Sequence, residues 1–282
     1  GGLSEVYFLA MHENPEKREQ WRAPMQKMLD RVLEVGRDDT GLFYMMVNPK
    51  DGKILNEERT DNWGYNYNAF ATVAMMDDVP RYHEVIRHVL SELMKNKDYP
   101  WEGAHADGFA DSLEGCLNLM NRYPEPAAFT WADYTAQRLL AVQRDTGIFE
   151  GWYGDGNSAR TLIMYALWKT QGAYRQPWRA DLRLGAAVDD EGYTCFVAQS
   201  DWTWSGKLHF DVPRHSEYLN MPADYARLNQ FPEWFVVSES TRYQNAQDDQ
   251  PPAEVNGDGL RAGLDVRLER DKPFRIRLRK IE

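Results

Sequence analysis

The segment GIFEGWYGDGNSARTLIMYALWKTQG, residues 147–172, decides the architecture of the helical part of the chain. Its first ten residues, 147–156, are dense in glycine, aromatic and acidic residues and are typical of a loop. The residues that follow, 157–171, are apolar nearly all round, with Asn157 as a candidate N-cap and Gly172 where a C-cap glycine belongs. A helix of this kind is predicted to be buried. We call the loop in front of such a helix its mouth, and this mouth carries Glu150, Trp152, Tyr153 and Asp155.

The same arrangement occurs twice more, in DNWGYNYNAFATVAMM from residue 61 and HADGFADSLEGCLNLMNRY from residue 105. The acids Asp61, Asp107 and Asp155 recur at a spacing of about 46–48 residues, which is typical of repeated helical hairpins. Three inner helices are predicted at 65–76, 108–122 and 157–171. They alternate with amphipathic outer helices at 15–35, 80–96 and 127–144, and Pro24 predicts a kink or a break in the first of these.

Beyond residue 176 the pattern changes to short runs with period-two alternation, such as FRIRLRKI at 274–281. Six strands are predicted, at 182–188, 193–199, 206–212, 234–238, 264–268 and 274–281. Residues 37–60 are predicted to form a short hairpin or ordered loop over the mouths, and residues 243–259 a long polar loop. The chain is therefore predicted to be α+β, with a portion of three helical hairpins at 1–176 and an antiparallel β domain, a sandwich, at 177–282.

Composition excludes several classes of function. The 282 residues carry a formal net charge of −11, whereas nucleic-acid binding needs a basic face. No stretch approaches the roughly 18 apolar residues of a membrane span. The cysteines Cys116 and Cys195 are predicted to be small buried hydrophobes. His209 and His215 have no evident third ligand, so neither a metal nor a cofactor is predicted.

Four motifs carry a resemblance to a known group of enzymes: GLFY at 41–44, DNWGYNYNAF at 61–70, ADSLEG at 110–115 and YGDGNSARTLIMYALWKTQG at 153–172. With helical hairpins followed by a β-sandwich, they resemble the (α/α)-toroid carbohydrate-active enzymes, the glycoside hydrolases and polysaccharide lyases that process uronic acids. The resemblance implies a toroid portion in front of the sandwich and an oligo- or polysaccharide substrate. It also favours a periplasmic or secreted location.

A complete toroid has more hairpins than the three predicted here. The resemblance therefore implies that the chain is the C-terminal half of a longer protein. The remaining hairpins would come from a missing N-terminal half or from a second copy in a homo-oligomer.

Glycoside hydrolysis needs two carboxyl groups at the scissile bond. Asp111 and Glu114 are three residues apart, share a helix face and form the candidate pair, with Asp61 and Asp155 as further catalytic acids. Elimination from a uronate instead needs a proton carrier, for which Tyr65 and His105 are the candidates. The predicted substrate-binding residues are Asn62, Trp63, Tyr67, Asp107, Glu150, Trp152, Tyr153, Asn157 and Arg160.

Structural roles compete with each of these assignments. The acids could cap helices or bind backbone amides, the aromatic residues could pack in a core, and Arg160 could serve an internal ion pair. The leading hypothesis is a glycoside hydrolase of the glucuronidase type on an acidic, uronate-containing glycan. The alternatives are a polysaccharide lyase that acts by β-elimination and a glycan-binding subunit without chemistry.

Overall fold

A computed structural model describes residues 2–247 and 251–281 and divides the chain into two compact units. The helical unit contains the residues up to Met164 together with Tyr225–Pro232, and the β unit contains Tyr165–Asp224 and the chain from Glu233 onward. The division falls inside a helix, whereas the sequence predicts a boundary at 176/177. The chain is α+β, as predicted.

The helical unit contains the predicted outer and inner helices. Its helices are α1 Gly2–Glu13, α2 Arg18–Val35, α3 Trp63–Asp77, α4 Pro80–Glu92, α5 Ala106–Met120, α6 Pro126–Val142 and α7 Asp155–Thr170, the last of which continues into the β unit. Short 3-10 helices lie at Pro15–Lys17, Leu93–Asn96 and Trp101–Ala104. The strands β1 Tyr44–Val47 and β2 Ile54–Arg59 form an antiparallel hairpin within 37–60, as predicted.

Burial separates the inner helices from the outer ones. Nearly every residue of α5 is buried, and α3 is buried over most of its length, whereas α4 buries one apolar stripe that includes Tyr82 and Ile86. α7 departs from its prediction: Thr161 and Met164 are fully buried, but Ile163 is 56 % exposed, so this helix is not buried all round. Part of the apolar surface of α7 is therefore not covered by other residues of the described chain.

Two further expectations at the start of the chain are corrected. No helix is predicted ahead of residue 15, but α1 occupies Gly2–Glu13 and buries Tyr7, Phe8 and Met11. Its apolar stripe is short, so periodicity alone does not separate it from a loop. α2 continues through Pro24 as one helix, so the break that the sequence allowed for does not occur.

The β unit consists of two antiparallel sheets, of order β4-β5-β10-β7-β8 and β3-β6-β9. Its elements are β3 Tyr174–Gln176, β4 Arg183–Val188, β5 Thr194–Gln199, β6 Trp204–His209, α8 Arg214–Glu217, β7 Arg242–Gln247, β8 Ala253–Asn256, α9 Gly257–Arg261, β9 Leu264–Leu268 and β10 Phe274–Ile281. One apolar core joins the sheets, with Phe196 and Ile276 from the larger sheet and Leu208 and Val266 from the smaller.

Two predictions for the β unit are wrong. The expected polar loop at 243–259 contains β7, β8 and α9, because backbone pairing of β7 with β10 stabilises a strand whose side chains are mostly polar. Its residues 248–250 lie outside the described residues. The expected strand at 234–238 makes only an isolated bridge between Val236 and Asp211.

Candidate functional site

Two glycines bring α3 and α5 into backbone contact. A Cβ built on Gly115 of α5 would lie 2.5 Å from Cα of Gly64 in α3, so no side chain separates the helices at this crossing. Tyr65 follows Gly64, and its hydroxyl lies 2.8 Å from Oδ1 of Asp111 and 2.6 Å from Oε2 of Glu114, both on α5. A phenol has one proton to donate, so the two carboxyl groups share it.

Arg160 of α7 completes this arrangement, which we call the carboxylate cluster: Tyr65, Asp111, Glu114 and Arg160. Its guanidinium donates to Oε2 of Glu114, and Nη2 lies 3.3 Å from the Tyr65 hydroxyl and 3.5 Å from Oδ1 of Asp111. The Glu114 side chain is 1 % exposed and the Asp111 side chain 15 % exposed. Glu114 is therefore a buried, ion-paired positioning group, and Asp111 is the acid within reach of a ligand.

The cluster shifts the protonation of its own members. Burial, and then the carboxylates of Asp107, Asp61 and Glu114, raise the pKa of Asp111 to about 6, although the hydrogen bond from Tyr65 acts in the opposite direction. Burial and the two adjacent carboxylates raise the pKa of Tyr65 as well. Tyr65 is thus held as a phenol that donates, and Asp111 holds a proton at a higher pH than an ordinary aspartate.

The segment Tyr225–Pro232 adds two residues that sequence reasoning missed. Nε2 of Gln230 donates to Oε1 of Glu114 at 3.3 Å, and the Arg227 guanidinium lies over the Tyr65 ring, 4.2 Å from its centroid. This segment belongs to the helical unit although it follows much of the β unit in the chain. No local signal in the sequence indicates that it returns there.

A pocket of about 500 Å³ lies in the same unit and is lined by Glu102, His105, Glu150 and Trp152. Glu150 accepts hydrogen bonds from the backbone N–H of Ala106 at 2.9 Å and from the Trp152 indole at 2.6 Å, with Nδ1 of His105 at 3.3 Å. Burial on its own would raise the pKa of Glu150, but these hydrogen bonds together lower it. The pocket therefore combines an ionised carboxylate with an aromatic wall.

Glu102 is the second acid of the pocket, and sequence reasoning missed it too. Burial, and then the charges of Asp61 and Asp107, raise its pKa. The pKa values of the two pocket acids, Glu102 and Glu150, are therefore shifted in opposite directions. Its backbone is left-handed, with φ of 48°, which is a strained conformation of the kind found at functional sites. Gly108 allows this turn to approach α5, because a Cβ there would lie 2.6 Å from Cβ of Glu102. The sequence contained one signal for Glu102: it is an acid that precedes a glycine, Gly103, close to the mouth that begins at His105.

Asp61 and Asp107 connect the pocket with the carboxylate cluster electrostatically. Both raise the pKa of Glu102 and of Asp111. Both are buried: Asp61 accepts from Nδ2 of Asn62 at 2.8 Å, and Asp107 accepts from Nδ2 of Asn157 at 2.7 Å. Neither is an N-cap, since the capping positions belong to Asn62 for α3 and to His105 for α5.

The predicted substrate-binding residues Trp63 and Tyr67 lie in the core of the helical unit. Trp63 and Tyr67 are fully buried, and their polar atoms bond inside the fold, Nε1 of Trp63 to Ser112 at 2.6 Å and the Tyr67 hydroxyl to the Gly41 carbonyl at 2.7 Å. Trp101, four residues before the mouth that begins at His105, is fully buried as well. These rings pack in the core, with Trp63 and Trp101 both edge-on to Trp131.

Asp155 has a structural role in place of the predicted catalytic one. Its carboxylate accepts backbone N–H groups of Phe149, Glu150 and Gly151, and the bond from Glu150 contributes most to lowering the pKa of Asp155. Asp155 thereby folds the loop that presents Glu150 to the pocket. The ring of Tyr153 is exposed and packs edge-on against Trp152, with centroids 4.3 Å apart.

His209 and His215 have local partners, and the two cysteines are not bonded to each other. Nδ1 of His215 lies 2.9 Å from Glu233, His209 stacks on Tyr174, and both cysteines are free thiols. Within residues 2–247 and 251–281, no three acidic, histidine or cysteine side chains come together as a metal site. No helix in the same ranges is long and apolar enough to cross a bilayer.

No protein-family model, curated protein or solved structure matches this chain. The resemblance to toroid enzymes therefore stays a prediction. Function has to be inferred from the geometry of the carboxylate cluster and the pocket.

Proposed function

We propose that the chain is a glycoside hydrolase in which Asp111 is the general acid. The observation that carries the proposal is the sharing of one phenol, Tyr65, by Asp111 and Glu114 at the α3–α5 crossing. With a pKa of about 6, Asp111 keeps a proton close to neutral pH and can release it to a leaving oxygen. Glu114, buried against Arg160, fixes the position of the phenol.

Asp107 supplies the second carboxylate of the proposed reaction. It lies four residues before Asp111 on the same helix, so the two share a face with Cβ atoms roughly 5–6 Å apart. When Asp111 protonates the glycosidic oxygen and the C–O bond breaks, positive charge develops on the sugar. The carboxylates of Asp107 and Asp61 stabilise that charge, because they sit in a mostly buried site where electrostatic effects are strong. Water then adds to the cationic carbon and gives one proton to Asp107, while the leaving sugar keeps the proton from Asp111; exchange with solvent restores both acids.

The pocket fits the adjoining sugar of such a substrate. Trp152 offers a partly exposed aromatic face, and Glu102, Glu150 and His105 offer hydrogen-bonding groups around it. A uronate, the substrate class implied by the resemblance, would place its carboxylate at the imidazole of His105, the lining residue that is not an acid or a tryptophan. The two pocket acids instead favour an uncharged sugar, so the substrate panel has to contain both kinds.

Elimination on a uronate is the competing reaction. The 3.3 Å approach of Arg160 to the Tyr65 hydroxyl is the observation in its favour, since a cation beside a phenol assists ionisation. The raised pKa of Tyr65 argues against its use as a base. Hydrolysis is therefore the reaction that we propose.

The test is incubation with polygalacturonate, glucuronoxylan, xylan and galactomannan, read by release of reducing ends and by ultraviolet absorbance of an unsaturated product. We expect reducing ends without absorbance, and a loss of at least about a hundredfold in Asp111→Asn. Asp145→Asn, which changes an exposed acid, is the matched control. Full turnover in Asp111→Asn would refute the assignment, and rising absorbance would establish elimination in its place.

A further inference from the structure

Two tryptophans of the β unit lie on its surface. Trp178 is 71 % exposed and Trp202 is 62 % exposed, whereas Trp204 in the same unit is buried. Tryptophan is highly buried on average, so a pair exposed to this degree is informative. Neither residue belongs to the carboxylate cluster or to its pocket.

One ion pair holds the two segments that carry these rings against each other. Arg179, next to Trp178, donates to the backbone carbonyl of Trp202 at 2.7 Å and to that of Thr203 at 3.1 Å. The same guanidinium binds the carboxylate of Asp181, which accepts the backbone N–H of Trp202 at 3.3 Å. The rings therefore project from a fixed backbone, which reduces the entropy that binding would cost.

The charges around the rings are paired. Arg179 pairs with Asp181 and Arg183 with Asp201, and Arg270, which lies 4.6 Å from the Trp202 ring centroid, pairs with Asp271 at 3.2 Å. Three cations and three anions leave the patch without net charge but with many hydrogen-bonding groups. An uncharged ligand that combines apolar faces with hydroxyl groups matches this surface, and an anionic polymer finds no unpaired cation among these three arginines.

We propose that Trp178 and Trp202 form a glycan-binding platform, separate from the carboxylate cluster, that takes uncharged pyranose chains. The open indole faces, which for Trp202 means the face away from Arg270, stack against the apolar faces of the sugar rings, and the paired charges at the rim bind the hydroxyl groups. The choice of a carbohydrate over a protein partner rests on the proposed hydrolase function. The platform would keep the protein on its polymer.

Affinity electrophoresis tests the platform directly. Native gels contain hydroxyethylcellulose, xylan or galactomannan, with polygalacturonate as the charged comparison, and the full chain carries Asp111→Asn so that the polymer stays intact. We expect a neutral polymer to retard this protein and the double substitution Trp178→Ala with Trp202→Ala to weaken binding about tenfold or more. Tyr218→Ala, which removes another exposed aromatic ring of the β unit, should bind unchanged.

The outcomes separate this proposal from the proposed hydrolysis. With Asp111 intact, the double variant should cleave a short oligosaccharide like the wild type and lose rate only on polymer. If retardation depends on the two tryptophans but the protein shows no hydrolytic activity, the proposed platform is supported and the proposed hydrolase function is refuted. Equal retardation of the double variant, or none of the wild type, would overturn the platform. Self-association abolished by the double substitution would assign the surface to a protein contact instead.

Discussion

Asp111 should destabilise the folded protein when it ionises, and Asp111→Asn should remove that effect. The pKa of this group is raised from 3.8 to about 6 by burial among other carboxylates. Each pH unit of such a difference corresponds to about 1.36 kcal/mol, so full ionisation costs the native state on the order of 3 kcal/mol. The side chain is only 15 % exposed, so solvent screening reduces this figure little.

The sign of the pH dependence follows from the direction of the shift. A folded-state pKa above the unfolded value means that the native protein binds the proton more tightly. The stability that the protonated group contributes is complete below pH 3.8 and is lost as the pH rises through about 6. Asparagine resembles the protonated acid and cannot ionise. Wild type and Asp111→Asn should therefore differ little at about pH 4, and the variant should be the more stable by roughly 1–3 kcal/mol at about pH 7.5.

Urea unfolding at several pH values measures this difference, followed by the circular dichroism of helix, because the long helices lie in the helical unit. Asp145→Asn is the control, because it makes the same chemical change at an exposed residue. A gap between wild type and Asp111→Asn that is constant across the pH range would refute the reasoning. A wild type that is more stable than the variant at high pH would refute it more strongly.

Three further changes test the packing around the cluster. Gly115→Ala should destabilise the protein by roughly 1–3 kcal/mol in urea unfolding, since its Cβ would lie 2.5 Å from the backbone of α3, whereas Gly156→Ala, which meets open space, should be neutral or stabilising. Tyr65→Phe should raise the pKa of Asp111 further, because the lost hydrogen bond holds it down, and the alkaline limb of the pH–rate profile should move upward; a downward shift would contradict this. Asp155→Ala should speed hydrogen exchange at the three backbone amides that donate to its carboxylate, those of Phe149, Glu150 and Gly151. Unchanged exchange at these amides would rule out the anchoring role of Asp155.

The helices of the hairpins were predictable because each has a long periodic pattern. Their buried or exposed faces were less so, as Ile163 shows: its neighbours in α7 are apolar, yet only tertiary contacts decide which of them are covered. The strand β7 was missed for a related reason. Its side chains are largely polar, and the pairing partner that stabilises it, β10, lies about 30 residues further along the chain.

The candidate site was partly predictable for a geometric reason. Asp111 and Glu114, three residues apart, share a helix face, and the structure places both on one phenol. The prediction failed at the mouth that begins at Asp61, where all the aromatic side chains were expected to face the ligand. Trp63 and Tyr67 are four residues apart on α3 and share the buried face, while Tyr65 between them points the other way. Gln230 was beyond any local pattern, since its contact with Glu114 spans 116 residues.

The close crossing of α3 and α5 determines both the packing and the chemistry of the site. Because Gly64 and Gly115 leave no side chain between the helices, Tyr65 reaches two carboxyl groups at once. One cation, Arg160, sits against those two acids, so the cluster keeps an excess negative charge, and burial makes that excess costly. The cost falls on Asp111, the acid that the cation approaches less closely. A Cβ at the crossing would therefore loosen the packing and, by moving the phenol, change the pKa of the acid on which the proposed reaction depends.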